Sequence, residues 1–187
     1  MANIKGAEAI CHAFSKDPVN LSTGNFIYDR TDLEVGGREP FVFRRFYNAI
    51  NGREGVLGRD WNHNYEVHLE FTDGEAVLLR EDGKEERFFW EKDRYLSLFA
   101  SEGVLEKAEE GYAYRTREQK VYRFDREGMC LETETLLGSL ITFTYEEGSP
   151  FRLVKAEKDT GEFFSFSYDA EGKLERVEDH TGRSVAY

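Results

Sequence analysis

Glycine turns recur through this chain at short, regular intervals, and they limit what it can fold into. From residue 73 onward a turn signal appears about every ten residues, as in Asp73-Gly74 and Asp82-Gly83. The segments between the turns are short and rich in aromatic residues, which favour pleated, half-buried strands. Strands of this length at this spacing predict an all-β fold, an antiparallel meander of β-hairpins.

The final third of the sequence repeats itself. An aromatic residue, an acidic residue and then a glycine recur three times, with glycines 20 and 24 residues apart at Gly128, Gly148 and Gly172. A second glycine set interleaves with the first, at Gly138, Gly161 and Gly182. A period just above 20 residues indicates a stacked array in which each unit buries one face against its neighbours.

A second set of motifs lies near the N-terminus. It begins with DPVNLSTGNF at 17–26 and continues with TDL at 31–33, RRFYN at 44–48 and LGRDWNHNYE at 57–66. Alternation within residues 26–35 predicts a strand in which Tyr28 and Leu33 face opposite sides. Alternation over residues 61–72 predicts one long strand, with His63 pointing inward and His68 outward.

Together these motifs resemble the Rhs/YD-repeat proteins. The segment YDAEGKLERVEDHTGRSVAY at 168–187 is similar to one Rhs/YD repeat, and the N-terminal motifs resemble, in order, the domain that opens the repeat array. The residues that carry the resemblance are Asp17, Pro18, Thr23, Gly24, Thr31, Asp32, Arg45, Tyr47, Asn48, Gly58, Trp61, Tyr168, Asp169, Gly172, Asp179 and Gly182.

The resemblance implies a repeat sheet that spirals into a hollow shell around a C-terminal toxic domain, as in bacterial polymorphic toxins. This chain would form the start of that shell, or of a solenoid-like sheet. Its partners would be the further YD repeats and the enclosed toxin of its own polypeptide, together with a secretion-spike protein. Its location would be secreted or at the bacterial surface, without a Sec-type signal in this sequence.

The resemblance also implies four sections along the chain. They are a lead-in at 1–16, an array-opening segment at 17–72, a hairpin meander at 73–123 and YD-type repeats at 124–187. The first strand of any array is an exposed edge that needs cover. We therefore expect residues 17–26, RRFYN and the Trp61 strand to pack as a cap over that edge.

Composition argues against several other classes of function. The net charge is −12, and an acidic surface without a basic patch repels nucleic acid. No apolar run is long enough to span a membrane. Cys11 and Cys130 are too few for a disulfide framework, and we expect two free thiols. The histidines and cysteines lack the spacing of a metal site, so no metal or cofactor is expected.

Two functions other than a shell around a toxic domain are also considered. A wall-associated surface protein could use exposed aromatic residues to bind carbohydrate as an adhesive module. A hydrolase would need two carboxylates at a defined separation, and 37 acidic residues are no evidence for such a pair. We therefore expect no enzymatic activity and no catalytic residues.

The two adjacent arginines of RRFYN also allow two interpretations. Arg44 and Arg45 could bind an anion, but we expect one of them to pair with acids such as Asp17 or Asp32 inside the cap, since a covered arginine needs a partner. A sheet with an open strand edge could also pair edge to edge as a dimer.

Overall fold

The computed structural model describes residues 19–20, 24–97, 103–149 and 151–187. The predicted lead-in at 1–16 and the motif residues Asp17, Pro18 and Thr23 lie outside the described residues, as does Cys11. No helix among the described residues is long and apolar enough to span a bilayer.

The described chain is all-β, and the predicted antiparallel meander of hairpins is confirmed. Its strands in chain order are β1 (Val19–Asn20), β2 (Asn25–Val35), β3 (Phe41–Asn48), β4 (Glu54–Gly55), β5 (Gly58–Arg59), β6 (Trp61–His63), β7 (His68–Thr72), β8 (Glu75–Leu79), β9 (Glu85–Glu91), β10 (Arg94–Ser97), β11 (Gly103–Ala108), β12 (Gly111–Thr116), β13 (Val121–Phe124), β14 (Cys130–Glu134), β15 (Leu140–Tyr145), β16 (Leu153–Lys158), β17 (Phe163–Tyr168), β18 (Leu174–Asp179) and β19 (Ser184–Ala186).

These strands form three main sheets and one small ribbon. The opening sheet has the order β1-β2-β3-β6, and the middle sheet has the order β10-β9-β8-β7. The repeat sheet runs from β11 to β19, each strand beside the next, and β4 pairs only with β5. The sheets therefore change between β6 and β7 and between β10 and β11, whereas the four-section division from sequence stays a prediction.

The alternating segment 61–72 is not one strand, and that prediction was wrong. β6 ends at His63, and β7 begins at His68 in a different sheet. The Glu66 N–H donates to the His63 carbonyl at 2.9 Å, and the Glu66 carboxylate accepts from the His63 N–H at 2.9 Å. This reciprocal pair closes a tight turn that alternation does not reveal. His63 is buried, as predicted, with 1% of its surface exposed.

A β-bulge bends β2 at Asp32. Tyr28 opposes Tyr47 on β3 and Leu33 opposes Phe43, with one extra residue between the two pairings. A slip of one residue turns every following side chain to the other face. Leu33 therefore lies on the same face as Tyr28, and the prediction that they face opposite sides was wrong.

The opening and middle sheets cover one face of the repeat sheet. The first core cluster joins the opening segment to late repeat strands through Leu33, Phe41, Phe43, Tyr65, Leu153, Ala156, Phe164, Phe166, Leu174 and Val177. The second joins the middle sheet to early repeat strands through Val67, Leu69, Ala76, Leu78, Phe88, Leu105, Tyr114, Tyr122, Phe124 and Cys130. Each such buried large side chain contributes roughly 1.5–3 kcal/mol to folding.

The repeat sheet carries a β-bulge at the same place in each YD-type unit. The register shifts opposite the aromatic residues of the three units, and the extra residues are Leu131 on β14, Val154 on β16 and Glu175 on β18. A bulge bends its strand and increases the local twist. The bend therefore recurs on every second strand of the repeat sheet.

Candidate functional site: the seam between the opening segment and the repeat sheet

Carboxylates close the turns of the YD-type units. Asp125 Oδ1 accepts a hydrogen bond from the Met129 N–H at 2.8 Å, and Asp169 Oδ1 accepts one from the Lys173 N–H at 2.7 Å. Each acid thereby satisfies a backbone donor that the reversal leaves unpaired. In the same turn as Asp169, Gly172 adopts a φ of +79°, a conformation that glycine reaches at little cost.

One turn of the opposite row uses the same device. Asp179 Oδ1 accepts hydrogen bonds from the Thr181 N–H at 2.9 Å and the Arg183 N–H at 3.1 Å. Burial opposes ionisation, but these bonds and the Arg183 guanidinium outweigh it and lower the pKa of Asp179 to about 2. Gly182 completes this turn with a φ of +86°.

The tyrosines of two units fasten neighbouring strands. The Tyr145 hydroxyl donates to the Cys130 carbonyl at 2.7 Å, and the Tyr168 hydroxyl donates to the Leu153 carbonyl at 2.7 Å. Both carbonyls belong to the first residue of the preceding strand, β14 or β16. Phe124 has no hydroxyl and is instead buried in the second core cluster.

At one end of the repeat hairpins, turns bond to the backbone of the opening segment. The Leu69 N–H donates to the Gly128 carbonyl at 2.9 Å, and the Leu174 N–H donates to the Val56 carbonyl at 2.8 Å. A Cβ added at Gly128 would lie 2.1 Å from the Leu69 carbonyl oxygen. A glycine is therefore needed there for close approach of two backbones as well as for the turn.

At the other end, side chains make the connection. Lys158 Nζ donates to the Glu39 carbonyl at 2.9 Å, and Arg183 Nη2 donates to the Glu34 carbonyl at 2.8 Å. The Glu39 carboxylate accepts from the Thr135 hydroxyl at 3.1 Å. The opening segment is thus attached to both ends of the hairpins. We call this set of contacts, together with the first core cluster, the seam.

Arg45 lies at the margin of the seam, beside the last residues of the repeat sheet. Its Cζ is 5.0 Å from the ring centroid of Trp61 and 4.9 Å from that of Tyr187, so the guanidinium lies between two rings. The Asp32 carboxylate, 4% exposed, pairs with Arg45 and accepts from the Tyr187 hydroxyl at 2.7 Å. Burial opposes the charge of Arg45, but Asp32 outweighs it and raises the pKa of Arg45.

The neighbouring arginine makes a different contact. Arg44 Nε donates to Asp29 Oδ2 at 2.8 Å, and both side chains are nearly half exposed. Thr31 lies opposite Arg44 in the β2–β3 pairing. Both arginines of RRFYN are therefore paired with acids of β2, which agrees with the prediction of ion pairing and not with that of an anion site.

Asparagines link the opening sheet to the middle sheet. Asn25 Nδ2 donates to Asn48 Oδ1 at 2.9 Å, and Asn48 Nδ2 donates to the Asp82 carbonyl at 3.3 Å. Beside them, Asn51 Nδ2 donates to Asn62 Oδ1 at 2.7 Å. Of these asparagines, Asn48 alone is among the residues that carry the family resemblance. The signal that the sequence offers is that Asn25 and Asn51 each lie next to a turn glycine, Gly24 and Gly52.

Two motif glycines outside the repeats also adopt left-handed backbone conformations. Gly24 has a φ of +69° in the β1–β2 turn, and Gly58 has a φ of +98° beside the β4–β5 turn. Neither meets another atom where a Cβ would lie. Their place in the motifs is explained by the reversal of the chain alone.

An open aromatic groove extends from Arg45 along the opening sheet. It is lined by Phe26, Tyr28, Tyr47, Ala49 and Trp61. Phe26 and Tyr28 are each 41% exposed. The rings meet edge to face, with interplanar angles of 61° for the Phe26–Tyr47 pair and 83° for the Tyr28–Trp61 pair.

Two potentially reactive groups, His63 and Cys130, are enclosed. Burial lowers the pKa of His63 to about 3, and burial raises the pKa of the Cys130 thiol. In the part of the chain that the structure describes, no three His, Cys, Asp or Glu residues lie close enough to hold a metal ion. The chemistry that the seam supports is the attachment of one β-layer to another.

Among the described acids of the seam, Glu66 is one whose pKa burial raises. Its carboxylate accepts from the His63 N–H and, at 3.5 Å, from the Val56 N–H. Burial raises the pKa of Glu66 to about 7, although these bonds and the Lys173 charge act in the other direction. The charge of Glu66 in turn contributes to a raised pKa of Tyr168.

Replacing Glu66 with glutamine is expected to change how stability depends on pH. Because the folded pKa is above the unfolded one, the contribution of Glu66 is fully present below about pH 4.5 and is lost as pH rises through 7. Relative to E66Q, the wild-type chain should lose about 2–3 kcal/mol between pH 4.5 and 8. Urea unfolding at several pH values measures this, and His63, common to both proteins, cancels. Parallel profiles would show that Glu66 does not titrate in this range.

Comparison with known proteins places the chain among toxin-related sequences. Residues 16–88 match the family model described as "Domain of unknown function (DUF6531)". The chain is 33% identical over 129 residues to "Probable deoxyribonuclease RhsB" and 31% identical over 123 residues to "Probable deoxyribonuclease RhsA", both of Dickeya dadantii (strain 3937). It is 28% identical over 116 residues to "tRNA nuclease WapA" of Bacillus subtilis (strain 168).

These matches cover most of this chain and little of each relative. They include 66%, 63% and 61% of this chain, but 9%, 9% and 5% of RhsB, RhsA and WapA respectively. The family match contains the whole opening sheet and most of the middle sheet.

Proposed function

Because this chain belongs to the Rhs/YD-repeat proteins, we propose that it forms the opening section of a shell wall that encloses and delivers a toxin. The relatives carry names of nucleases with different substrates, which supports a common container with variable contents. The observation that carries the proposal is the seam, because the opening segment covers one face of the repeat sheet and is attached to both ends of its hairpins.

In this role the chain acts by containment. The opening sheet and the middle sheet exclude water from one face of the repeat sheet, which would otherwise be exposed. The repeats then continue the wall, and the toxin of the same polypeptide lies inside until delivery outside the producing cell. The proposal gives this chain no catalytic step, no cofactor and no nucleic-acid partner.

The test uses the complete polypeptide, with and without residues 1–97, under limited proteolysis. We expect the region that follows the repeats to be protected in the complete polypeptide and to be cut at least tenfold faster after the deletion. Equal rates of cleavage in both proteins would contradict containment by this segment.

A shorter chain tests the cap separately. A chain that starts at residue 72 lacks the opening sheet and leaves Phe164, Phe166 and Val177 of the first core cluster uncovered. We expect it to aggregate or to melt more than 10 °C lower, because large buried apolar side chains would face water. A soluble, monomeric product with an unchanged melting temperature would rule the cap out.

The aromatic groove favours a second candidate, carbohydrate binding by a wall-associated adhesive protein. Exposed aromatic rings can stack on sugars, and Trp61 would be the main contact. A glycan array probed with the 187-residue chain and with W61A separates the two candidates. Containment predicts no competable signal, whereas strong, competable binding that W61A loses would favour the adhesive module.

A further inference from the structure

One face of the opening sheet is covered only in part by the repeat sheet. Phe43, Arg45 and Tyr47 alternate along β3 and therefore share this face. Phe43 contacts Phe166 of β17 at a centroid distance of 5.8 Å, and Arg45 contacts Tyr187, which follows β19. Alternate residues along β3 therefore contact parts of the repeat sheet that come progressively later in the chain.

The covered part of this face ends where the repeat sheet ends. Beyond Arg45 lies the aromatic groove, which shares the face because Tyr47 opposes Tyr28 on one side and Trp61 on the other. β18 pairs with one edge of β19, and no described strand pairs with the other edge. A further strand would lie about 4.8 Å beyond β19, on the side toward which the contacts of β3 advance.

We propose that the aromatic groove is the seat of the next hairpin of the repeat array, which adds to the free edge of β19 within the same polypeptide. This inference rests on the proposed function, since it requires the array to continue. It extends an established interface, in which Phe166 and then Tyr187 contact the same face of the opening sheet. The next unit would contribute its own aromatic and aliphatic side chains to the groove.

The arrangement of the rings favours a protein segment over a sugar. Besides the two edge-to-face pairs, Tyr47 and Trp61 meet at 56°, so the groove offers no common plane on which a sugar ring could lie. Edge-to-face contacts are typical of aromatic side chains packed against one another. The same geometry occurs inside the seam, where Phe43 and Phe166 meet at 65°.

The test appends a second copy of residues 169–187 directly after Tyr187, which then takes the place of Tyr168 in the added unit. The control carries a Gly-Ser tail of equal length. Both are made with W90F, so that Trp61 is the only tryptophan. Acrylamide quenching reports on the groove, and hydrogen exchange of Ser184–Ala186 reports on the edge of β19.

With the added repeat, we expect exchange in β19 to slow at least tenfold and quenching of Trp61 to fall at least twofold relative to the Gly-Ser control. Adding Y28S should restore the quenching and leave the slowed exchange in place. If β19 is protected but Trp61 stays as accessible as in the control, this inference is overturned. The proposed function as a shell wall would be unaffected by that result. If neither β19 nor Trp61 is protected, this inference is also overturned. That result would in addition count against growth of the array and hence against the proposed function.

Discussion

Replacing Gly128 with alanine is expected to destabilise the chain by about 3–5 kcal/mol, a large effect for the addition of one methyl group. The new Cβ would lie 2.1 Å from the carbonyl oxygen of Leu69, a backbone atom that no side-chain rotation can move. It would also occupy a residue with a φ of +95°. The turn and β7 would have to separate, which breaks the bond from the Leu69 N–H to Gly128.

Gly182→Ala is the matched control for this prediction. Gly182 has a φ of +86°, but no atom lies within 4 Å of its added Cβ. It therefore carries only the left-handed strain, about 1 kcal/mol. Urea unfolding of the two variants measures the difference. Equal losses would show that Gly128 is needed for its turn alone and that close contact between turn and β7 contributes nothing.

Replacing Arg45 with methionine is expected to cost about 2–4 kcal/mol. Methionine retains much of the contact with Trp61 and Tyr187, so the main loss is the charge opposite Asp32. That carboxylate is 4% exposed and, within the described residues, would keep only Arg30, at 3.3 Å, as a cationic partner. Removing one partner of a covered ion pair costs more than the pair contributes, because the other charge stays buried.

The adjacent Arg44→Met provides the control within the same strand. Its pair with Asp29 is exposed on both sides, and such surface pairs contribute about 0–1 kcal/mol. Thermal and urea unfolding of both variants, together with R45M/D32N, measure the contrast. In the double variant we expect at least 1 kcal/mol of the loss to be recovered. If the two substitutions lower the free energy of unfolding equally, Arg45 has no special role in the seam.

Much of this fold is predictable because its signals are local. The glycine turns and the short strands between them depend on residues within a few positions of one another. The same holds for the carboxylate of Asp169, which bonds within its own turn. A periodic array repeats these local rules, so each copy strengthens the prediction for the next.

The features that the sequence did not reveal depend on contacts between distant residues. The bulge lies at Asp32, whose carboxylate accepts a hydrogen bond from Tyr187, a residue 155 positions away. The break between β6 and β7 places Glu66 inside the seam, whereas alternation puts it on the wet side of one strand. A single slip in register changes every side chain beyond it, and no local pattern marks where the slip occurs.

The recurring bulge of the repeat sheet has a consequence for size. The extra residues Leu131, Val154 and Glu175 each add one bend at the same point of their unit, so each unit turns the sheet through a similar angle. Equal angular steps set a radius that does not depend on how many steps are taken. If the sheet forms the proposed shell, we expect additional repeats to lengthen its cavity along its axis at constant diameter, so that capacity scales linearly with the number of units.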